Sequence, residues 1–163
     1  MIRVLMMAVL AMGLSACGFR PLYAERGPGG ANRVGAVEVA PIPDRMGWQV
    51  RNELIRSLGG TEPADAAYRL DVTLAARTEG LAIQNDDAVT RYNYRLTVAY
   101  VLTEKATGKV LLDERTRAIA SYNVVDSPYA TTVAERDAEE RTARQAAELI
   151  ALRLATWFDD QGS

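Results

Sequence analysis

The fold is decided by the stretch Tyr68-Arg69-Leu70-Asp71-Val72-Thr73-Leu74-Ala75-Ala76-Arg77. Every second position is apolar and the positions between are mostly polar, a period of two that predicts a strand with one buried and one solvent-facing side. Residues 92–102 repeat the pattern with apolar side chains at even positions. Two such strands joined by a chain reversal predict an antiparallel hairpin at the centre of a sheet.

The segment 78–90 between these strands leaves two structures open. It contains Gly80 and the turn-forming run Asn85-Asp86-Asp87, and only Leu81 and Ile83 are clearly apolar and in phase with the strands. It is either a long hairpin loop or an extension of both strands beyond the core. We favour an extended, mobile hairpin tip.

Two weaker strands complete the expected sheet. Gly35 to Ala40 forms a short strand that Pro41-Ile42-Pro43 ends, because proline cannot donate to a ladder. After a tight turn at residues 104–109, a strand runs from Val110 to about Tyr122 with poor alternation. Such a pattern is typical of an edge strand or a bulged one.

The first helix follows the short strand. Asp44 is a plausible N-cap, and Val50, Leu54 and Leu58 recur at helical spacing. Gly59-Gly60 ends the helix, as expected for a left-handed C′ position.

The second helix follows the last strand. Thr132-Val133-Ala134-Glu135 matches a capping box that opens it. Its apolar stripe is Ala143, Ala146, Ile150, Leu154 and Trp157, broadened by Ala147 and Phe158. A single stripe on a helix of mixed charge indicates packing against a sheet.

The predicted order β-α-β-β-β-α defines an α+β fold. Short connections make the three later strands antiparallel, and the first strand joins them by a crossover, so that its pairing could be parallel. Both helices have one apolar stripe, so they cover one face of a four-stranded, mostly antiparallel sheet in a two-layer sandwich.

The start of the chain predicts a lipid anchor. A positive Met1-Ile2-Arg3 precedes a short apolar run, and Leu14-Ser15-Ala16-Cys17 has the leucine and small residues of a lipobox. Residues 1–16 are then a signal peptide, and Cys17, the only cysteine, carries the fatty acyl groups, palmitate among them. Residues 17–33 are anchor and linker, and 34–163 are one periplasmic α+β domain. The apolar run, about 11 residues, is too short to span a bilayer.

Composition argues against several functions. The chain has no histidine, a net charge of −2 and no basic block. With Cys17 acylated, the commonest general base, transition-metal ligand and thiol nucleophile are all missing, so we expect neither an enzyme nor a cofactor or metal site. The charge pattern gives no sign of a nucleic-acid partner.

The mature start Cys17-Gly18-Phe19-Arg20-Pro21-Leu22-Tyr23 resembles the lipopolysaccharide-assembly lipoprotein family, LptE, whose members commonly begin Cys-Gly-Phe-x-Pro-Leu-Tyr. The predicted element order also resembles that of the family. The resemblance implies a non-catalytic protein that plugs the outer-membrane β-barrel LptD, helps it assemble and assists delivery of lipopolysaccharide, which it also binds. Gly18 in place of aspartate after the cysteine is typical of a lipoprotein sorted to the outer membrane, facing the periplasm.

Two site hypotheses follow. Arg77 and Arg91 flank the hairpin tip, so we expect them to lie near each other. They and Arg95 are candidates for contact with lipopolysaccharide phosphates or acidic groups of the barrel lumen, since guanidinium suits bidentate phosphate binding. Leu81 and Ile83 are candidates for contact with the barrel wall.

Other interpretations stay open. The arginines could form an ordinary solvated face with cross-strand pairs to Asp71 and Asp113. The rival function is a transporter-associated or lipid-transfer outer-membrane lipoprotein with a different partner. A periplasmic hydrolase is the third alternative.

Overall fold

The computed structural model describes residues 34–81, 91–124 and 127–161. In order along the chain, these residues form β1 (Val37–Val39), α1 (Asp44–Leu58), β2 (Tyr68–Leu81), β3 (Arg91–Glu104), β4 (Val110–Asn123) and α2 (Pro128–Asp160). The sheet order is β1-β2-β3-β4, with β1 parallel to β2 and the other pairs antiparallel. The predicted α+β order and the mostly antiparallel sheet are confirmed, and the first pairing, whose direction the sequence left open, is parallel.

The core lies between one face of the sheet and the helices. The even-numbered residues of β3 from Tyr94 to Leu102 are all buried, while the odd-numbered residues between them are half-buried. α2 packs on β3 and β4, and α1 packs on α2 and beside β1. Both helices therefore cover the same face, as the single apolar stripes predicted.

Burial on β2 fades along the strand. Leu70 is fully buried and Val72 and Leu74 are half-buried, but Ala76 is exposed. The predicted alternation is therefore correct only for the first half of the strand. The reason is that β1 accompanies β2 over Tyr68–Leu70 alone, and α2 packs over β3 and β4 instead.

The ends of the sheet correct the bounds of the first strand and decide between the two structures left open for the hairpin. The first strand is shorter than residues 35–40, because Pro41 follows its last pairing with Leu70 almost at once. β2 and β3 extend to Leu81 and from Arg91, so the strand-extension alternative holds over the described part of the hairpin. Residues 82–90, with Ile83, lie outside the described residues.

The poor alternation of β4 predicted an edge strand or a bulged one, and β4 is both. It is an edge strand of the described sheet, and its register to β3 shifts at its start, where Val110 pairs with Thr103 and Leu112 with Leu102. The extra residue, Leu111, accounts for the two adjacent leucines.

Asp44 is not the N-cap of α1. Pro43 occupies that position with the extended backbone that a cap requires, and no side chain caps the helix. Asp44 is already the first helical residue and has a φ of 69°. The predicted end is correct: Gly59 follows the helix with a φ of 139°, which favours glycine.

The predicted capping box of α2 is also wrong. The helix begins at Pro128, one turn earlier, and Ser127 Oγ accepts a hydrogen bond from the amide of Ala130 at 3.4 Å. Proline fits the first turn because its missing N–H would be unpaired there anyway. At the other end Phe158 is 1% exposed while Trp157 is half-buried, so Phe158 rather than Trp157 completes the buried stripe.

We predict that Gly47→Ala destabilises the domain although alanine is the better helix former. A Cβ at position 47 would lie 2.7 Å from the carbonyl oxygen of Ile42, a backbone atom that cannot rotate away. Overpacking of this kind costs about 1–3 kcal/mol, more than the helix-propensity gain of about 1 kcal/mol. Urea unfolding should show the loss, whereas Asn52→Ala on the half-exposed side of α1 should be neutral or stabilising. A Gly47→Ala protein as stable as the parent would contradict the close contact.

Candidate functional site

The side of the sheet away from the helices carries the candidate site. The odd-numbered side chains of β2, β3 and β4 point to this side, which we call the open face. On β2, β3 and β4 its charged residues are six arginines and three carboxylates, although the whole chain has a net charge of −2. The arginines are Arg69, Arg77, Arg91, Arg95, Arg115 and Arg117; the carboxylates are Asp71, Glu79 and Asp113.

Two of the arginines are neutralised by carboxylates on the open face. Arg69 binds Asp71 at 3.0 Å, and this hydrogen bond raises the pKa of Arg69. Arg95 binds Glu79 at 2.8 Å. The other four arginines are exposed and form no ion pair with any described residue. These four are Arg77, Arg91, Arg115 and Arg117.

The strand register corrects the expected neighbours. Arg77 lies directly opposite Arg95 on β3, and Arg91 lies opposite Leu81. Arg77 and Arg91 are therefore four positions apart along the sheet, about 13 Å. The prediction that they lie near each other is wrong. The juxtaposed pair is Arg77 with Arg95, whose like charges repel each other, although Glu79 offsets part of the charge of Arg95.

Arg95 occupies an unusual environment. Its Nε is buried and donates to no described residue, while its terminal Nη2 donates to Glu79. A buried donor without an acceptor costs about 1–3 kcal/mol. An anionic group between the exposed Arg77 and the terminal nitrogens of Arg95 would relieve the like-charge contact.

Exposed aliphatic side chains lie among these arginines. Leu81 is 40% exposed and Ile119, which pairs with Arg95 across the sheet, is 45% exposed. Cationic and aliphatic groups side by side suit an amphiphile with anionic headgroups and hydrocarbon chains. Ile119 was missed from the sequence, although one signal was available: it is a large apolar residue out of phase with its buried neighbours Ala118 and Ala120.

The helix layer has an exposed apolar surface of its own. Trp48 on α1 is 68% exposed, and Leu149 and Leu152 on α2 are 40% and 45% exposed. Trp48 borders a shallow groove between the helices with Arg45, Arg56 and Arg144. The domain therefore exposes apolar side chains on both the sheet layer and the helix layer.

The perturbed titratable groups on the helix side are structural. Arg153 on α2 donates two nitrogens to Glu114 on β4, at 2.7 to 3.2 Å, and the Tyr100 hydroxyl donates to the same carboxylate. The hydrogen bonds from Arg153 lower the pKa of Glu114, and burial raises the pKa of Tyr100 to about 12. None of the three changes protonation near neutral pH, so the cluster ties α2 to the sheet and has no acid–base role.

The remaining predicted site residues cannot be placed. Cys17 and Ile83 lie outside the described residues. In residues 34–81, 91–124 and 127–161 no helix has the length and apolar character needed to cross a membrane.

The fold is a small α+β domain with an arginine-rich open face. The chain belongs to the LptE family of lipopolysaccharide-assembly lipoproteins, whose family model matches residues 34–154. This family is non-enzymatic, as composition and resemblance had both predicted.

The chain is also similar to individual proteins and solved structures. A protein of Rickettsia prowazekii (strain Madrid E), named only as uncharacterised, is 30% identical over 154 residues, 94% of this chain and 96% of the relative. A crystal structure described as a lipoprotein of Caulobacter crescentus CB15 has a TM-score of 0.67 and 26% identity, covering 79% of this chain and 95% of that one. Rare lipoprotein B of Shewanella oneidensis shares the fold with a TM-score of 0.56 and 19% identity, over 78% of this chain and 97% of its own.

Proposed function

We propose that this chain is an outer-membrane lipoprotein that binds the LptD β-barrel as a plug, aids assembly of the barrel and assists delivery of lipopolysaccharide to the outer leaflet. Removal of residues 1–16 and acylation of Cys17 would anchor it facing the periplasm. Membership of the LptE family supports the assembly role. The observation that carries the proposal is the open face, where four arginines without an ion pair to any described residue lie among exposed aliphatic side chains.

The chemistry of that face suits lipopolysaccharide. Its lipid portion combines phosphates with acyl chains, and guanidinium groups bind phosphate oxygens bidentately. Arg77, Arg91 and Arg95 would meet phosphate, with Leu81 and Ile119 beside them for hydrocarbon or for the wall of the barrel. The juxtaposition of Arg77 and Arg95 makes this pair the centre of the proposed anion contact.

We expect Arg77→Glu combined with Arg91→Glu to weaken lipopolysaccharide binding at least tenfold, because each charge-assisted hydrogen bond contributes about 1.5–3 kcal/mol. Binding of labelled lipopolysaccharide to the purified acylated protein in detergent would measure the change. Arg136→Glu with Arg144→Glu is the matched control, since it makes the same change in charge on the exposed side of α2. Equal binding by both double variants would exclude the open face as the lipid contact.

The barrel interaction is tested by tagged purification from mildly solubilised outer membranes. A large, heat-modifiable barrel should co-elute in stoichiometric amount, and Leu81→Asp should reduce it several-fold because a charge would replace an exposed wall contact. Thr73→Asp is the control, since it lies on the same face of β2 nearer the other end. Recovery of an inner-membrane or barrel-free complex instead would favour the transporter-associated or lipid-transfer function.

A further inference from the structure

A groove that we call the entry groove opens at the end of the sheet where the chain leads into β1. Its volume of about 400 Å³ lies within the usual range of small-ligand sites, about 300–1,000 Å³. Three aromatic rings line it, since Tyr68 and Trp157 each pack edge-on against Phe158, with 4.9 and 5.0 Å between the ring centroids. Val110, 54% exposed, and Leu111 line it from β4. An aromatic-lined groove of this size suits a short apolar peptide segment.

The charges around the entry groove favour a cationic ligand. Glu104 lines the groove, accepts a hydrogen bond from the hydroxyl of Thr107 at 2.5 Å and forms no ion pair with a described residue. α2 ends here with Asp160, and its last turn contains no basic residue. The carbonyl end of a helix carries partial negative charge, which a nearby cation stabilises. Among the described residues that line the groove, only Lys109 supplies a positive charge.

One segment of the chain combines apolar side chains with a single positive charge. Residues 19–23 contain two aromatic residues, a proline and a leucine, with one arginine and no acidic residue. Pro21 fixes its own φ and favours an extended backbone at Arg20, so Phe19 and Tyr23 point to one side and Arg20 to the other. Extended segments that contain proline dock well in aromatic-lined grooves, because they lose little conformational freedom on binding.

The connection to β1 is long enough for this segment to reach the groove. Residues 24–33 join Tyr23 to Val34 and include Gly27-Pro28-Gly29-Gly30, a run that favours chain reversal. Ten extended residues span at most about 33–36 Å. β1 lies beside Tyr68, which itself lines the groove. Even β4, at the other edge of the sheet, is only three strand spacings from β1, about 14 Å.

We propose that residues 19–23 dock in the entry groove of their own domain, with Phe19 and Tyr23 against the aromatic rings and Arg20 at Glu104. The acyl groups proposed for Cys17, two residues before Phe19, would then hold this end of the domain next to the membrane. Residues 24–33 would no longer set the distance between the two. The docking needs neither the acyl groups nor the barrel, so it does not depend on the function proposed above.

Cross-linking within one chain tests the docking on the full-length acylated protein in phosphatidylcholine nanodiscs, where lipid blocks Cys17. A short bismaleimide should join Ala24→Cys to Lys109→Cys, because residue 24 follows the docked segment and Lys109 borders the groove. Ala24→Cys with Thr61→Cys is the matched control and should link poorly. Thr61 is exposed in the loop from α1 to β2, at the same end of the sheet, but does not line the groove. Equal linking of both pairs would overturn the proposal.

Substitutions at the proposed contacts give a second readout in the same cross-linked pair. Phe19→Asp should lower the yield at least about tenfold, because it would place a charge among aromatic rings. Arg20→Glu should lower it about threefold through loss of an exposed ion pair, and Glu104→Arg in the same chain should restore it. A yield that Phe19→Asp leaves unchanged would contradict docking in the groove. Failure of Glu104→Arg to restore the yield would contradict the contact between Arg20 and Glu104.

Discussion

Leu96→Ala is expected to lower the free energy of unfolding by about 2–5 kcal/mol. Leu96 is fully buried on β3, a central strand of the sheet, where it belongs to the core between sheet and helices. Truncation would remove apolar contacts and leave a cavity that a hydrogen-bonded sheet on one side cannot close. Since domains of this size are stable by only about 5–15 kcal/mol, the variant would lose a large share of its stability.

Urea unfolding followed by tryptophan fluorescence would measure this loss. Thr97→Ala is the matched control, because Thr97 is the next residue of β3, points to the open face and is only half-buried. Its effect should stay within about 1 kcal/mol. Similar midpoints for the two variants would show that the alternation of β3 had been assigned to the wrong faces.

The second large effect concerns the membrane anchor. Cys17→Ser is expected to abolish incorporation of labelled palmitate, because the hydroxyl cannot replace the thiol in the acylation reaction. Each buried methylene contributes about 0.8 kcal/mol to membrane attachment, and two or more chains give stable anchoring. A second variant, in which an ordinary cleavable signal peptide is fused directly before Gly18, would be secreted without any acyl chain. This protein should therefore leave the membrane fraction almost completely.

Ser15→Ala serves as the control for this experiment, since it keeps a small residue in the lipobox and should remain labelled. The released domain should unfold at the same temperature as the anchored one, because the core lies within residues 34–161. Palmitate labelling that persisted in Cys17→Ser would mean that the cysteine is not the acylated residue.

Local patterns predicted those parts of the fold in which one face is clearly buried. The period of two along β3 identified its buried residues correctly, since helices cover that face from Tyr94 to Leu102. The same period on β2 overestimated burial beyond Leu74, because neither β1 nor a helix extends that far. Whether an apolar strand residue is buried depends on helices and strands that are distant in sequence, and the pattern of the strand itself does not reveal it.

The errors in the candidate site have a similar origin. Arg77 was expected beside Arg91, but the neighbour of Arg77 depends on how far the two strands extend before they reverse. On α2, Trp157 and Phe158 differ by one position, which is a rotation of about 100° around the helix. The ring of Phe158 packs against that of Tyr68, with 4.9 Å between the ring centroids, and this residue is the buried one of the two. Both features are set by tertiary contacts.

The parallel pairing of β1 with β2 makes the two ends of the sheet different: the chain enters at one end, and the long hairpin extends to the other. The chain leads into β1 at the end of the sheet where β2 begins, beside Tyr68. From that end β2 runs for 14 residues to Leu81, about 45 Å at the usual rise per residue. With the proposed anchor at Cys17, the domain would act as a rigid arm whose far end carries Arg91. Strand length would then fix how far a cation lies from the point where the chain enters β1.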